Sequence, residues 1–215
     1  MKAFYYRLLG DDNPLSRYPK LLDAALNEFA RKNFEDASLN NILKEANMSK
    51  GSLYHNFGDK LGLYLAMVDI IVRKKTAEKK RLFAELKRQP GPLDFFDKVK
   101  SLVNSTMQFM YSDERFYQVL CRNLEESEEF KKQLTEIFPP SPKHEFEALI
   151  QSAIAAGQLD SRFSPDFIAG VFEILLTQCY KLLPPDNPGA KMESVTDQII
   201  DMIRYGVAIR KEENE

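Results

Sequence analysis

Apolar residues recur along this chain at helical spacing, and the polar residues between them supply the punctuation. Pro19 fits a first helical turn, where its missing N–H costs nothing. Leu22, Ala25, Leu26 and Phe29 then form one apolar stripe. The stripe ends near Asn33, a residue that tolerates the left-handed conformation of a helix end. Ser38 is a natural N-cap for a short second helix carrying Leu39, Ile42, Leu43 and Ala46. Asn47 can turn the chain, and Ser49 can cap a third helix over about 50–56. Gly58 to Lys60 breaks that helix, and Asp59 can cap a fourth. The fourth is apolar from Leu61 to Val72 and cationic from Arg73 to Arg81, a run read as a solvated face.

Gln89 to Pro92, "QPGP", is the strongest breaker and the expected joint between two parts of the chain. Beyond it the periodicity predicts helices over about 93–111, 114–124, 127–137, 142–156, 165–183 and 193–210. Ser164-Pro165 is a start signal, Gly157 stands at a helix end, and "FPPSP" and "PPDNPG" separate neighbours. No alternating pattern with hairpin signals appears, so the fold class is all-α.

Helices two and three, separated by about three residues, have the form of a helix-turn-helix unit whose second helix can enter a major groove. At 100° per residue, Leu53 and Phe57 share the buried side of the third helix. Gly51 and His55 fall opposite, flanked by Ser52 and Tyr54, with Lys50 at the N-terminus. That face holds donors for phosphate oxygens and base edges, and no carboxylate.

Charge sharpens this division. The whole chain has 30 Lys+Arg against 32 Asp+Glu. Cations predominate up to residue 90 and acids after it, which makes the front the better partner for a polyanion. At 44% hydrophobic the chain can build a sizeable core. Two cysteines, Cys121 and Cys179, with no CxxC spacing suit a reducing compartment. No apolar run reaches a spanning length and the N-terminus lacks a leader pattern, so a cytoplasmic protein without a membrane partner is expected. With two distant histidines, His55 and His144, and no HExxH, GxSxG, P-loop or GxGxxG, neither an enzyme, a metal site nor a cofactor is expected.

The stretch "RYPKLLDAALNEFARKNFEDASLNNILKEANMSKGSLYHNFGDKLGLYLAM", Arg17 to Met67, resembles the N-terminal domain of TetR/AcrR-like transcriptional repressors. The resemblance is carried by Leu22, Ala24, Ala25, Phe29, Ser38, Leu39, Ile42, Ala46, Ser49, Lys50, Gly51, Leu53, Tyr54, Phe57, Lys60 and Leu63. Asn33 and Asn47 stand where that family usually has glycine, Leu43 where it has alanine, and Leu61 and Gly62 where it has an acidic pair.

The resemblance implies a helix-turn-helix DNA-binding domain over 1–60, including an N-terminal arm over 1–16, and a helical effector-binding and dimerisation domain over 61–215. Lys50, Gly51, Ser52, Tyr54 and His55 would line the groove-facing helix. Lys60 would contact a phosphate, with Arg17 and Lys20 as weaker phosphate candidates. The arm, with Lys2 and Arg7, would reach a minor groove or form a flexible or packed leader. In the back domain, helices over about 165–183 and 193–210 would form a homodimer interface. Their stripes are Ile168, Val171, Phe172, Leu175 and Cys179, and Val195, Ile199, Met202, Ile203 and Gly206. The alternative is that these stripes cover only the subunit's own core. Phe109, Phe116, Tyr117 and Phe172 are the candidates for lining a small-molecule pocket. The implied function is a homodimeric repressor released from a palindromic operator by a small-molecule effector; an activator, or a DNA-binding protein without an effector, is the alternative.

Overall fold

The computed structural model describes residues 5, 7–88, 94–139, 144–178, 182 and 188–207. No strand occurs among them. Two short 3-10 turns, Gly10–Asp12 and Pro14–Arg17, lead into the helices. These are α1 (Pro19–Arg31), α2 (Leu39–Ala46), α3 (Lys50–Phe57), α4 (Lys60–Arg88) and α5 (Phe95–Ser112), then α6 (Glu114–Glu125), α7 (Glu128–Ile137), α8 (His144–Ala155), α9 (Pro165–Gln178) and α10 (Pro188–Val207). The breaker Gln89 to Pro92, Cys179, and the far ends expected for the last two helices lie outside the described residues. The last helix starts at Pro188, upstream of the expected 193, with proline again in a first turn.

Local chemistry sets the early boundaries. The Ser38 hydroxyl accepts from Asn41 N at 3.3 Å, and the Ser49 hydroxyl from Ser52 N at 3.2 Å. Asp59 Oδ1 accepts from Gly62 N at 2.8 Å and so caps α4. Asn47 turns the chain at φ 51°, ψ 45°, in the left-handed region. Asn33 does not take up that conformation. The chain leaves α1 through Lys32 in an extended conformation. The Asn33 side chain instead accepts from Asp36 N at 2.8 Å, and its carbonyl accepts from Ala37 N at 3.1 Å.

The helices fall into two compact units. One comprises Met1–Glu78 with Phe109–Pro140; the other comprises Lys79–Gln108 with Ser141–Glu215. The first unit takes in the first part of α4 together with α6 and α7. In the first unit, Phe29, Ile42, Leu53, Phe57, Leu63 and Met67 are buried in one core that also takes in Phe116 and Val119 of α6. Polar contacts fix α6 on α1. Arg115 donates to Asp23 Oδ1 at 2.6 Å and to Asn27 Oδ1 at 2.7 Å. Arg122 Nε donates to the Ala30 carbonyl at 2.7 Å, where a cation also suits the negative end of α1.

The residues before α1 form a strap along α4. Tyr5, Leu8 and Leu15 are buried. The Tyr5 hydroxyl donates to Asp59 Oδ2 at 2.8 Å; burial, then this bond, pushes its pKa up to about 12. Asp69, a single acid in the apolar run of α4, is buried and accepts from Asn13 Nδ2 at 2.9 Å and Gly10 N at 3.1 Å. A carboxylate there would be costly without such donors. Of the expected arm, this portion is therefore a packed leader. Arg7 is exposed, and Lys2 lies outside the described residues.

In the second unit Phe95, Phe96, Phe172, Ile150, Ile199 and Ile203 are buried. Lys100 of α5 pairs with Asp197 of α10 at 2.9 Å, and Arg204 of α10 with Asp94 at 3.0 Å.

Candidate nucleic-acid interface

The α2–α3 pair builds one polar surface. Its short turn is closed by the left-handed Asn47 and by the Ser49 cap. Leu53 and Phe57 hold α3 down, both fully buried, and Tyr18 meets the Phe57 ring edge-on at 6.3 Å. With that side fixed, Lys50, Gly51, Tyr54 and His55 are exposed and Ser52 is half-buried. Tyr54 is 52% exposed, a large ring left in water on the same helix that seals Phe57 inside. Asn56 is turned back on its own helix, donating to the Ser52 carbonyl at 2.8 Å.

Arg17, Lys20 and Ser52 come together, though they arise from different segments. They line an open groove of about 450 Å³ with Tyr18, Pro19, Asn47, Met48 and Ser49. The groove lies at the N-terminal end of α3, where free N–H groups and the positive helix end favour an anion. Tyr18 and Asn47 are groove residues that sequence reasoning did not assign to the site. Their signal was local: an aromatic before Pro19, and an asparagine in a two-helix turn.

Lys60, expected to contact a phosphate, is half-buried at the start of α4. Its ammonium donates to the carbonyls of Glu35 and Ala37, each at 3.0 Å, and sits 4.8 Å from the centre of the Phe34 ring.

The four pocket candidates are distributed over both units. Phe109 and Phe116 stack at 5.7 Å in the first unit, to which Tyr117 also belongs. Phe172 belongs to the second, where it meets Phe95 at 5.9 Å and Phe146 at 5.6 Å, edge to face. On α9 and α10 the expected stripes are largely inward: Ile168, Phe172, Ile199 and Ile203 are buried, while Met202 is 59% exposed. The outward apolar face is Phe167 and Ile174 on α9 with Met202 and Tyr205 on α10. Cys179 lies outside the described residues.

Residues 21–67 match the family model of bacterial regulatory proteins, tetR family. The chain is 25% identical over 189 residues to the HTH-type transcriptional regulator YdgC of Bacillus subtilis (strain 168), covering 87% of this chain and 91% of that one. A TetR family transcriptional regulator from Chloroflexus aurantiacus shares the fold with a TM-score of 0.66 at 23% identity, over 98% of this chain and 99% of the other. SmeT, the repressor of the Stenotrophomonas maltophilia multidrug efflux pump SmeDEF, does so with a TM-score of 0.64 at 16% identity, over 91% of each chain. The matched family and these neighbours are regulators rather than enzymes. Residues 21–67 thus match the DNA-binding domain of the tetR family, on a chain that shares its helical fold with a TetR family transcriptional regulator.

Proposed function

We propose that this chain is a cytoplasmic homodimeric repressor, bound to a palindromic operator until a small molecule releases it. The observation that carries the reading is the face of α3. Lys50, Gly51, Tyr54 and His55 are exposed, with Ser52 half-buried beside them, on a helix anchored by Leu53 and Phe57. The glycine lets the backbone approach DNA, and the other four supply donors for base edges and phosphates. Arg17 and Lys20 supply cationic contacts at the adjoining groove.

Two copies related by a twofold axis suit half-sites about 34–36 Å apart, or a multiple of that. The pairing surface is the apolar outward face of α9 and α10, with Phe167, Ile174, Met202 and Tyr205, in a four-helix arrangement. That repressor function accords with the SmeT neighbour. An effector would sit in the second unit, where an aromatic cluster around Phe172 adjoins an otherwise apolar core. Thr196 supports this, since its fully buried hydroxyl has no partner among the described residues. Release requires the effector to bind the DNA-incompetent state more tightly; equal affinity for both states shifts nothing.

The test is selection of a duplex from a random pool by the purified protein, followed by titration in two salt concentrations. A palindromic sequence bound with strong salt dependence is expected. Recovery of no preferred sequence contradicts the proposal.

A further inference from the structure

We propose that Tyr5 is a positioning residue for the DNA-reading helix, fixing the corner between α3 and α4 through Asp59. The inference deepens the DNA-binding reading above and rests on it. The corner has little rigidity of its own. α3 closes where Gly58 N donates to the Tyr54 carbonyl at 3.0 Å, and α4 begins at Lys60. The link is Asp59 and Gly58, the latter at φ 79°, ψ −52°. Glycine takes φ of either sign at little cost, so it does not by itself set the angle between the helices. A constraint from outside the corner has to set it.

The strap before α1 supplies that constraint. Asp59 uses both carboxylate oxygens. Oδ1 accepts from Gly62 N at 2.8 Å, capping α4, and Oδ2 accepts from the Tyr5 hydroxyl at 2.8 Å. Tyr5 is itself buried, and its carbonyl accepts from Leu8 N at 2.9 Å. Leu8 Cδ1 reaches the same corner, 3.0 Å from where a Cβ on Gly62 would stand. Further along, Asn13 Nδ2 donates to the Ala66 carbonyl at 2.8 Å and to Asp69 Oδ2 at 2.9 Å. Arg73 donates to the Gly10 carbonyl and to Asp11. The α4 positions held are thus 59, 62, 66, 69 and 73, alternately three and four apart, which is one stripe of a helix. A segment so registered cannot slide along α4 without breaking several ties at once. Tyr5 stands at its front end, on a residue that joins the two helices. Its hydroxyl therefore limits how far α3 swings about Gly58.

A double-mutant cycle tests this. Tyr5→Phe removes only the hydroxyl and keeps the ring, while Asp59→Ala removes the acceptor. Without DNA, amide hydrogen exchange at Gly62 and Leu63 is expected to rise about three- to tenfold in Tyr5→Phe, as for the loss of one hydrogen bond. Affinity for the selected duplex is expected to fall by a similar factor, with binding to a scrambled duplex unchanged. The same change made in Asp59→Ala is expected to add nothing, because Tyr5 acts through that carboxylate.

Wild-type exchange at Gly62 and Leu63 in Tyr5→Phe overturns the proposal. So does a wild-type ratio of the two affinities, or an equal loss with and without the Asp59 carboxylate. The exchange measurement uses no DNA. A chain that selects no duplex refutes the DNA-binding reading, and the exchange result still upholds or overturns the tie at the corner.

Discussion

Gly62→Ala is the substitution that most directly probes how α3 is seated. A Cβ placed on Gly62 falls inside hydrogen-bond distance of the Phe57 carbonyl oxygen, and 3.0 Å from both Phe57 C and Leu8 Cδ1. Relaxed C···O contacts lie at about 3.3–3.6 Å, so the carbonyl must retreat by on the order of 1 Å. It cannot rotate away alone. The Phe57 ring is fully buried, and the next residue, Gly58, already holds φ at 79° in the turn to α4. The movement therefore passes to α3. Eight residues make a helix about 12 Å long, so 1 Å at one end tilts it by about 5°.

Base contacts weaken over displacements of a few tenths of an ångström. Loss of one good base contact costs about 1–3 kcal/mol, or roughly ten- to hundredfold in operator affinity. Binding to an unrelated duplex, held by charge alone, should change far less. The crowding itself costs about 1–3 kcal/mol of stability, which lowers Tm by about 2–12 °C for a chain of this length. Fluorescence anisotropy against the selected and a scrambled duplex, with a thermal melt, reads both effects. A wild-type ratio of the two affinities refutes the claim that Gly62 seats the recognition helix. A wild-type Tm as well would show that the close approach is not present.

Asp69→Asn places an amide against the donors of Asn13 and Gly10, and should cost about 1–3 kcal/mol in denaturant unfolding; an unchanged midpoint would remove the strap from the account. Ile174→Glu with Met202→Glu charges the outward face of α9 and α10, and should give monomers by sedimentation at micromolar concentration. A retained dimer would place the interface elsewhere. Asp113 has its pKa held below 3.8, chiefly by hydrogen bonding from Arg115 against the opposing effect of burial. Its stabilising share is full above that ordinary value and lost as pH falls through the lower folded one. Acid unfolding curves of the wild type should thus fall more steeply below about pH 4 than those of Asp113→Asn. Superimposable curves would show that this ion pair adds no stability.

What could be read from the sequence was what is settled within a few residues. Ser38, Ser49, Asn47 and Asp59 act on backbone groups of their own turns, and the periodicity of α3 put Leu53 and Phe57 inside. Lys60 could not be read this way, because its acceptors are loop carbonyls more than 20 residues back and carbonyls have no sequence signature. Asn33 misled for a related reason: left-handed turns and side-chain-capped turns both favour asparagine. Asp69 carried a usable clue, since a lone acid in an apolar helix needs a partner, but nothing identified Asn13 as that partner. The stripe on α9 was ambiguous because "PDFIAGVFEILL" is apolar on most sides. Only burial separates the inward Ile168 and Phe172 from the outward Phe167 and Ile174. The pocket aromatics were grouped by composition, which does not distinguish one packing unit from another.

Under the proposed function, the exposed face of α3 reads DNA. Its most direct test is a comparison of wild type with Tyr54→Ala and His55→Ala on the duplex selected by the wild type, at matched salt. Both side chains are exposed, so neither change should lower Tm appreciably. The account predicts that each variant loses affinity for the selected duplex while keeping its weaker binding to a scrambled one. Wild-type affinity in both variants, with intact folding, would contradict it.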